Sequence, residues 1–355
     1  MQSAMAKNVQ TVLGLITPDQ LGVTLTHEHL LIDLAFARPA PEEAIAREVY
    51  YAPLSMATLS QVRGQGMANQ DDLKLLDVDT AISEAMLYKQ HGGRSLVDAT
   101  SIGIARDPKA LVRISRETGV NIVMGSSYYV APSHPADMDS RSEDAIVEQI
   151  VSDITVGVDD TGVRSGIIGE VGCSWPLTDN ERKVLRASAR AQRLTGAPLL
   201  IHPGRDESSP MEIVRILQES GADLRRTIIG HLDRTVFERD TIREIAEAGC
   251  YLEWDLFGSE ASYYPFNPVV DMPSDAMRID TIAWVASEGW GGRVVIAHDI
   301  CKKHQLASYG GHGYSYILAH IVPRMRARGF SSDLIDAILV DNPAAALTFV
   351  EAQEG

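Results

Sequence analysis

The sequence alternates between short apolar segments rich in β-branched residues and longer amphipathic helical segments. Eight short segments are expected to form strands, at 23–26, 95–99, 121–125, 166–170, 198–202, 227–231, 250–254 and 293–298. Helical periodicity lies between them, at 78–90, 108–118, 143–156, 179–195, 211–220, 240–248 and 279–288. Parallel strands need crossovers of this kind. Eight such units predict an α/β fold, a closed (β/α)₈ barrel rather than an open doubly wound sheet.

The chain is longer than the barrel requires. About 250 residues suffice for the barrel, and the chain has 355. We expect one (β/α)₈ domain spanning 1–355, with a short N-terminal β-hairpin and an insertion after strand 1 at residues 38–75. The hairpin is expected to pair 9–16 with 22–26, with its turn at Thr17–Asp19. No Gly-rich turn follows the first strand, which argues against a dinucleotide-binding fold.

Composition excludes several classes of function. The net charge of −16 argues against a nucleic-acid partner, because no basic surface is available to bind phosphates. Three scattered cysteines, Cys173, Cys250 and Cys301, do not make a disulfide framework and fit a reducing cytoplasm. No apolar run is long enough to predict a transmembrane helix, and residues 1–10 do not resemble a secretory signal. We therefore expect a cytoplasmic protein with no membrane partner.

Two histidines, His27 and His29, close the first predicted strand. On a strand, residues two positions apart point to the same side, so both imidazoles can reach one ion. On a helix the same residues would lie about 200° apart and could not share it. The spacing therefore predicts a strand end that binds metal.

Other predicted strands also end in residues that bind metal or transfer protons. Strand four ends at Glu170, strand five at His202, strand six at His231, and Asp299 follows strand eight. In a (β/α)₈ barrel these ends meet at one mouth, where active sites form. Any one of them could be a buried polar cap or an ion-pair partner. Together with His27 and His29 they predict a metal centre.

Six ligands exceed the three or four that one zinc ion takes. Two ions that share a carboxylate fit the set better. One would bind His27, His29 and Asp299, the other would bind His202 and His231, and Glu170 would bridge them. Nitrogen and oxygen ligands suit Zn²⁺ best, with Mn²⁺, Co²⁺ and Fe²⁺ as alternatives.

The same residues resemble those of a known family. The pattern of ligands, together with the segments TVLGLI, LGVTLTHEHL and VVIAHD, is similar to the phosphotriesterase family of the amidohydrolase superfamily. Further segments resemble its phosphotriesterase-related subgroup, including GIIGEVGCSWPLTDNERKVL, HPGR, HLDRT, GCYLEWDLFG and YGGHGYSYIL. The similarity covers nearly the whole chain and is weakest over 38–77. Where phosphotriesterases have a carbamylated lysine, this chain has Glu170, which argues against efficient organophosphate hydrolysis.

The resemblance implies hydrolysis of N-acyltaurines, chiefly N-acetyltaurine to taurine and acetate, by a homodimer. Hydroxide shared by the two ions would attack the acyl carbonyl, and Asp299 would pass its proton to the departing nitrogen. Asp233 could relay protons outward or simply cap a helix. An anionic substrate needs cationic contacts, for which Arg205 and Arg234 are candidates, or they are surface charges. Tyr128 and Trp175 could line the pocket or pack loops.

Two other functions compete with this one. A lactonase or a promiscuous phosphotriesterase would use the same metal centre. A ligand-binding protein that has lost catalysis belongs to a different class, and the complete set of ligands argues against it.

Overall fold

The computed structural model describes residues 5–65, 67–261, 264 and 266–353. Its strands are β1 Val9–Thr11, β2 Gly14–Ile16, β3 Thr24–Glu28, β4 Ile32–Asp33, β5 Lys74–Leu75, β6 Ser95–Asp98, β7 Asn121–Met124, β8 Ile168–Gly172, β9 Leu199–His202, β10 Thr227–Ile229, β11 Tyr251–Trp254 and β12 Val294–Ile296. Its α-helices are α1 Pro18–Leu21, α2 Ala44–Tyr51, α3 Leu59–Gln65, α4 Val78–Gln90, α5 Pro108–Thr118, α6 Glu143–Thr155, α7 Asp179–Thr195, α8 Ser209–Glu219, α9 Leu232–Thr235, α10 Arg239–Glu247, α11 Asp275–Ser287, α12 Val322–Ala327, α13 Ser332–Asp336 and α14 Asn342–Leu347. None of these helices is long and apolar enough to cross a membrane.

All eight predicted core strands are present, as β3 and β6 to β12, and they pair in parallel. One sheet has the order β3-β6-β7 and the other the order β8-β9-β10-β11-β12. Ser126 and Gly169 exchange backbone hydrogen bonds beside β7 and β8, and Asp299 N–H donates to the His27 carbonyl beside β12 and β3. The two sheets therefore adjoin through backbone contacts along both pairs of edges.

Alternation along the strands separates two apolar clusters. Leu96 in β6 and Ile201 in β9 belong to the large cluster, while their neighbours Val97 and Leu200 belong to a second, smaller one. The smaller cluster combines single residues of successive strands, namely Val97, Val123, Leu200, Ile228 and Val295. Because adjacent residues of a strand point to opposite sides, the strands bury both faces, as parallel sheets require.

The helices begin and end where their sequences contain capping residues. Asp77 and Asp107 accept backbone hydrogen bonds at the starts of α4 and α5, and Thr178 forms a capping box with Glu181 at the start of α7. Gly119 ends α5 in the left-handed conformation that favours glycine. These caps fix the lengths of the crossovers, so the predicted helices at 78–90, 108–118 and 179–195 are confirmed.

The predicted turn of the N-terminal hairpin was wrong. β1 and β2 pair antiparallel within the first apolar run, with Val9 opposite Ile16. Thr17 instead precedes α1, with Pro18 in its first turn and Gln20 accepting from the Thr17 N–H. Proline is favoured at that position because its fixed φ suits a helix and its missing N–H is not needed there. The hairpin therefore exists, but 17–19 start a helix.

The insertion at 38–75 contains α2 and α3 and ends in β5, which pairs with β4. Asp72 accepts from the backbone N–H groups of Lys303 and His304, and Asp71 pairs with the Lys303 ammonium group at 2.5 Å. These contacts tie the insertion to the loop that follows β12. It thus lies over the carboxyl ends of the strands.

Candidate metal centre

Glu170 in β8 lies at the centre of the predicted ligand cluster. Its Oε2 is 2.7 Å from His202 Nδ1, 3.3 Å from His27 Nε2 and 3.5 Å from His231 Nε2. Its Oε1 is 3.2 Å from His29 Nε2. The parallel register brings β3, β8, β9 and β10 to this point, and every one of these side chains is buried.

Asp299 completes the cluster from the segment after β12. Its Oδ1 lies 3.3 Å from His29 Nε2 and 4.0 Å from His27 Nε2. The donor atoms of His27, His29 and Asp299 form one group of metal-binding size, and those of His27, Glu170 and His231 form another. All six predicted ligands therefore converge, with Glu170 touching both halves of the set.

The donor atoms suit divalent cations. Ligands about 2.0–2.2 Å from one ion in a tetrahedral site lie roughly 3–3.5 Å from one another, which is the separation found around Glu170 and His29. His27 Nε2 is buried, and the described residues offer it no hydrogen-bond partner. A buried nitrogen without a partner is costly unless it binds something else. The residues present therefore fit a binuclear nitrogen and oxygen site.

Two carboxylates in β11 and just after it orient the histidine rings. Asp255 lies 2.8 Å from His231 Nδ1 and 3.1 Å from His27 Nδ1, and Glu253 lies 3.1 Å from His27 Nδ1. Directly after β3, His29 Nδ1 lies 2.9 Å from the Thr100 hydroxyl. Partners of this kind on the other ring nitrogen fix the tautomer and direct the free nitrogen at a metal.

The sequence reasoning missed Glu253 and Asp255. The available signal was their spacing, because two acids two positions apart at a strand end repeat the arrangement of His27 and His29. Since β11 neighbours β10 and β12, its acids reach histidines on both sides of the mouth.

Mutual attraction sets the charge states in the cluster. Burial raises the pKa of Glu170, but His202 and His27 outweigh it and hold that pKa well below its usual value. Burial lowers the pKa of His29, yet hydrogen bonds with Asp299 and Glu170 raise it to about 9. Burial raises the pKa of Glu253 to about 7. A cation that binds these histidines competes with protons for the same lone pairs.

Asp233, the expected proton relay, lies in α9 just after His231. Its Oδ2 accepts from Arg278 Nε at 2.8 Å and from the Leu256 N–H at 3.0 Å, and its Oδ1 is buried without a partner among the described residues. Burial raises the pKa of Asp233 to about 6 despite the nearby Arg278. Asp233 thus connects α9 to the segment after β11 and to α11.

A cavity of about 790 Å³ includes Glu170, His29, His202 and Asp299 in its lining, together with several cationic residues. Arg205, Arg234 and Lys302 face it, and none of the three forms an ion pair with a carboxylate among the described residues. Arg205 Nε donates to the Tyr264 hydroxyl at 2.7 Å, and Arg234 Nη2 lies 3.1 Å from His202 Nε2. Apolar residues also line the cavity, including Ile32, Leu34, Phe36, Ala37, Met67 and Val130.

Tyr128 and Trp175 are not among the residues that line this cavity, which favours the alternative that they pack loops. Tyr128 is fully buried, and its hydroxyl accepts from Arg141 Nη1 at 2.9 Å. Its neighbour Tyr129 lines the cavity instead, because successive residues of extended chain point to opposite sides. Trp175 is 38% exposed, and the adjacent Ser174 faces the cavity.

The sequence and the structure were compared with known proteins. The profile of the Phosphotriesterase family matches residues 7–347. The N-acetyltaurine hydrolase of Homo sapiens is 44% identical over 351 residues, covering 98% of this chain and 99% of that protein. The phosphotriesterase-related protein of Nematostella vectensis is 46% identical over 353 residues, covering 98% and 100%.

Among solved structures, a resiniferatoxin-binding protein from Rhodobacter sphaeroides is 36% identical, with a TM-score of 0.92 over 98% of this chain and 96% of that one. Family membership of this extent implies a (β/α)₈ barrel, in agreement with the parallel sheets. The family profile covers nearly the whole chain, and the predicted resemblance is thereby confirmed: this chain belongs to the phosphotriesterase family.

Proposed function

We propose that this protein is a binuclear metal-dependent hydrolase that cleaves the amide bond of N-acetyltaurine to give taurine and acetate. The observation that carries the substrate is full-length similarity to proteins named N-acetyltaurine hydrolase. The cavity supports it independently. Arg205, Arg234 and Lys302 line the cavity without a carboxylate partner in the described part of the chain, and an anionic leaving group such as a sulfonate would neutralise them.

In this proposal His27, His29 and Asp299 hold one ion, His202 and His231 hold the other, and Glu170 is shared. Zn²⁺ is the preferred metal, because the ligands are imidazole and carboxylate without thiolate. Bound divalent ions supply a nucleophile from water at neutral pH and polarise a carbonyl oxygen. We also propose that the two sheets close into the barrel that family membership implies, as one domain.

Residues of this chain would handle the proton and the leaving group. Asp299 is 16% exposed at the base of the cavity, so it can accept a proton there and deliver it to the departing amine. Arg205 would bind the sulfonate, with Arg234 near His202 as a second contact. The apolar residues that line the cavity would receive the acyl group. The proton relay through Asp233, the homodimer and the cytoplasmic location stay predictions.

Metal analysis and a substrate panel on one purified sample test the proposal. We expect about two divalent ions per chain and faster turnover of N-acetyltaurine than of an acyl-homoserine lactone or a phosphotriester. Replacing Asp299 by Asn should abolish turnover and leave most of the metal bound. Preference for the lactone or the phosphotriester would favour the alternative hydrolase, and less than one ion per chain would favour a binding protein.

Arg205→Ala tests the substrate contact. We expect a KM at least tenfold higher with unchanged metal content, because a charge-assisted contact to the sulfonate is lost. Arg215→Ala is the matched control, since Arg215 is exposed and pairs with Glu219 on the surface of α8. An unaltered KM for Arg205→Ala would remove Arg205 from the binding site.

A further inference from the structure

Glu28, the last residue of β3, lies between His27 and His29 in the sequence, and its fully buried side chain contacts His298. Its Oε1 accepts hydrogen bonds from the His298 backbone N–H at 2.9 Å and from His298 Nδ1 at 2.7 Å. Its Oε2 accepts from the Ile300 N–H at 3.1 Å. All three donors belong to the residues on either side of Asp299. Glu28 therefore binds the chain immediately before and after a proposed ligand.

The backbone at Asp299 explains why such a clamp is needed. Asp299 has φ of +51°, in the left-handed region that non-glycine residues rarely occupy. A strained conformation of this kind persists only when its surroundings enforce it. The neighbouring N–H groups are directed at Glu28 in this conformation, so release of the clamp would let the turn relax.

The His298 side chain is itself held in one orientation. Its Nε2 lies 3.1 Å from the Ile317 N–H and accepts from it, so its Nδ1 carries the proton that is donated to Glu28. This arrangement satisfies both ring nitrogens and leaves Glu28 with three donors. The charge of a buried carboxylate is stabilised by such donors without a cation.

The same arrangement occurs a second time at the mouth. Asp255 accepts from both the backbone N–H and the Nδ1 of His231, each at 2.8 Å, and His231 has φ of +53°. Asp299 and His231, both proposed ligands, thus have left-handed backbone conformations. Each conformation is held by a buried acid at the end of another strand, or directly after it. For His231 the acid grips the ligand itself, whereas for Asp299 it grips the residues on both sides.

We propose that Glu28, acting with His298, is the positioning residue that fixes Asp299 for metal binding and proton transfer. This inference rests on the proposed function for its catalytic consequence, although the clamp itself is a property of the fold. The end of β3 would then perform three tasks, since His27 and the following His29 bind metal while Glu28 sets the geometry of Asp299 after β12.

Glu28→Gln tests the clamp with little change in volume. The amide keeps one acceptor oxygen for His298 but turns a donor toward the Ile300 N–H, so the turn is released on one side. We expect kcat to fall at least thirtyfold with KM within about twofold, because a shift of about 1 Å in a reacting group costs up to a hundredfold. Glu28→Asp, which keeps the charge but shortens the reach, should lie between, and it provides the test if the glutamine variant does not fold.

The visible spectrum of the Co²⁺-loaded protein gives a readout that does not depend on turnover. Glu28→Gln should change this spectrum in the same way as Asp299→Asn, and the double variant should change it no further. Asn342→Ala is the matched control, since Asn342 is buried and its amide holds the Val294 carbonyl at the opposite end of β12. It should lower stability and leave the spectrum unchanged.

The outcomes separate the two proposals. An unchanged Co²⁺ spectrum for Glu28→Gln, or an equal change in Asn342→Ala, would overturn the clamp. So would a further spectral change when Glu28→Gln is added to Asp299→Asn. Absence of N-acetyltaurine turnover in the unmodified protein would instead overturn the proposed function, and the spectral comparison would still decide the role of Glu28.

Discussion

Arg278 in α11 should contribute far more to the free energy of unfolding than an exposed arginine that also pairs with two carboxylates. Its side chain is 0% exposed and pairs with Asp233 at 2.8 Å and Asp275 at 2.9 Å, both also 0% exposed. Replacing it by Met would leave the buried Asp233 without its arginine partner, and Asp275 with only the part-exposed Arg324 at 3.7 Å. Breaking a buried pair in this way costs about 3–5 kcal/mol, so we expect Arg278→Met to lower the free energy of unfolding by at least that amount.

Arg243 provides a matched control on the surface. It also pairs with two acids, Asp240 and Glu288, and it lies over the Trp284 ring much as Arg278 lies near the Phe257 ring. Its side chain is 40% exposed, however, and water screens the pairs. Exposed pairs contribute less than about 1 kcal/mol. Urea denaturation at fixed metal concentration should therefore separate Arg278→Met from Arg243→Met by several kcal/mol.

The pH dependence gives a second check on the same variant. Burial already raises the pKa of Asp233 to about 6, and Arg278 is the main group that opposes this. Without Arg278 the folded-state pKa rises further above the unfolded value, so the cost of the variant is largest at high pH and shrinks as protonation becomes possible. A deficit no larger than that of Arg243→Met, or one that grows as the pH falls from 8 to 5, would refute the reasoning.

Three further predictions follow from the site. Metal affinity should rise at least tenfold per pH unit between pH 6.5 and 8.5, because burial lowers the pKa of His29 but hydrogen bonds with Asp299 and Glu170 raise it to about 9, and attraction to Glu170 also raises the pKa of His27 despite burial, so protons leave when metal binds. Competition with a chelator measures this, and a pH-independent affinity would contradict it. Tyr128→Phe should leave kcat and KM within twofold, because Tyr128 lies outside the cavity; a large change in KM would return it to the substrate site. Asp255→Asn should lower metal affinity roughly 10–100-fold, because it orients His231 and contacts His27; full retention of both ions in dialysis would show that Asp255 is dispensable.

The strands and the ligand set were predictable from the sequence because they depend on local patterns. Apolar runs between amphipathic segments gave all eight core strands, and polar residues at their carboxyl ends gave six side chains that the structure brings together. Convergence of His27 with Asp299 required only that parallel strands place their carboxyl ends at one edge. The predicted topology was therefore enough to bring ligands far apart in the sequence to one site.

The cavity walls were not predictable, because they depend on rotation about the chain after each strand ends. Tyr128 and Tyr129 are adjacent aromatic residues, and only the structure shows that the second one faces the cavity. The same limit applies to the hairpin, where Pro18 suits a helix start as well as a turn. The sequence pattern locates the end of a strand. It does not show which of two adjacent residues beyond that end points into the cavity.

The residues that support the ligands were missed for a different reason. Glu28 and Glu253 lie in apolar strands and Asp255 directly follows one, and acids are expected to be rare in a core unless they are paired. Each is fully buried and contacts a histidine. A buried acid in a strand can be stabilised only by donors on neighbouring strands, and here the neighbours carry the proposed ligands. An acid at or just beyond the carboxyl end of a predicted core strand, near strands that end in histidine, is therefore a sequence signal for a residue that positions a metal ligand.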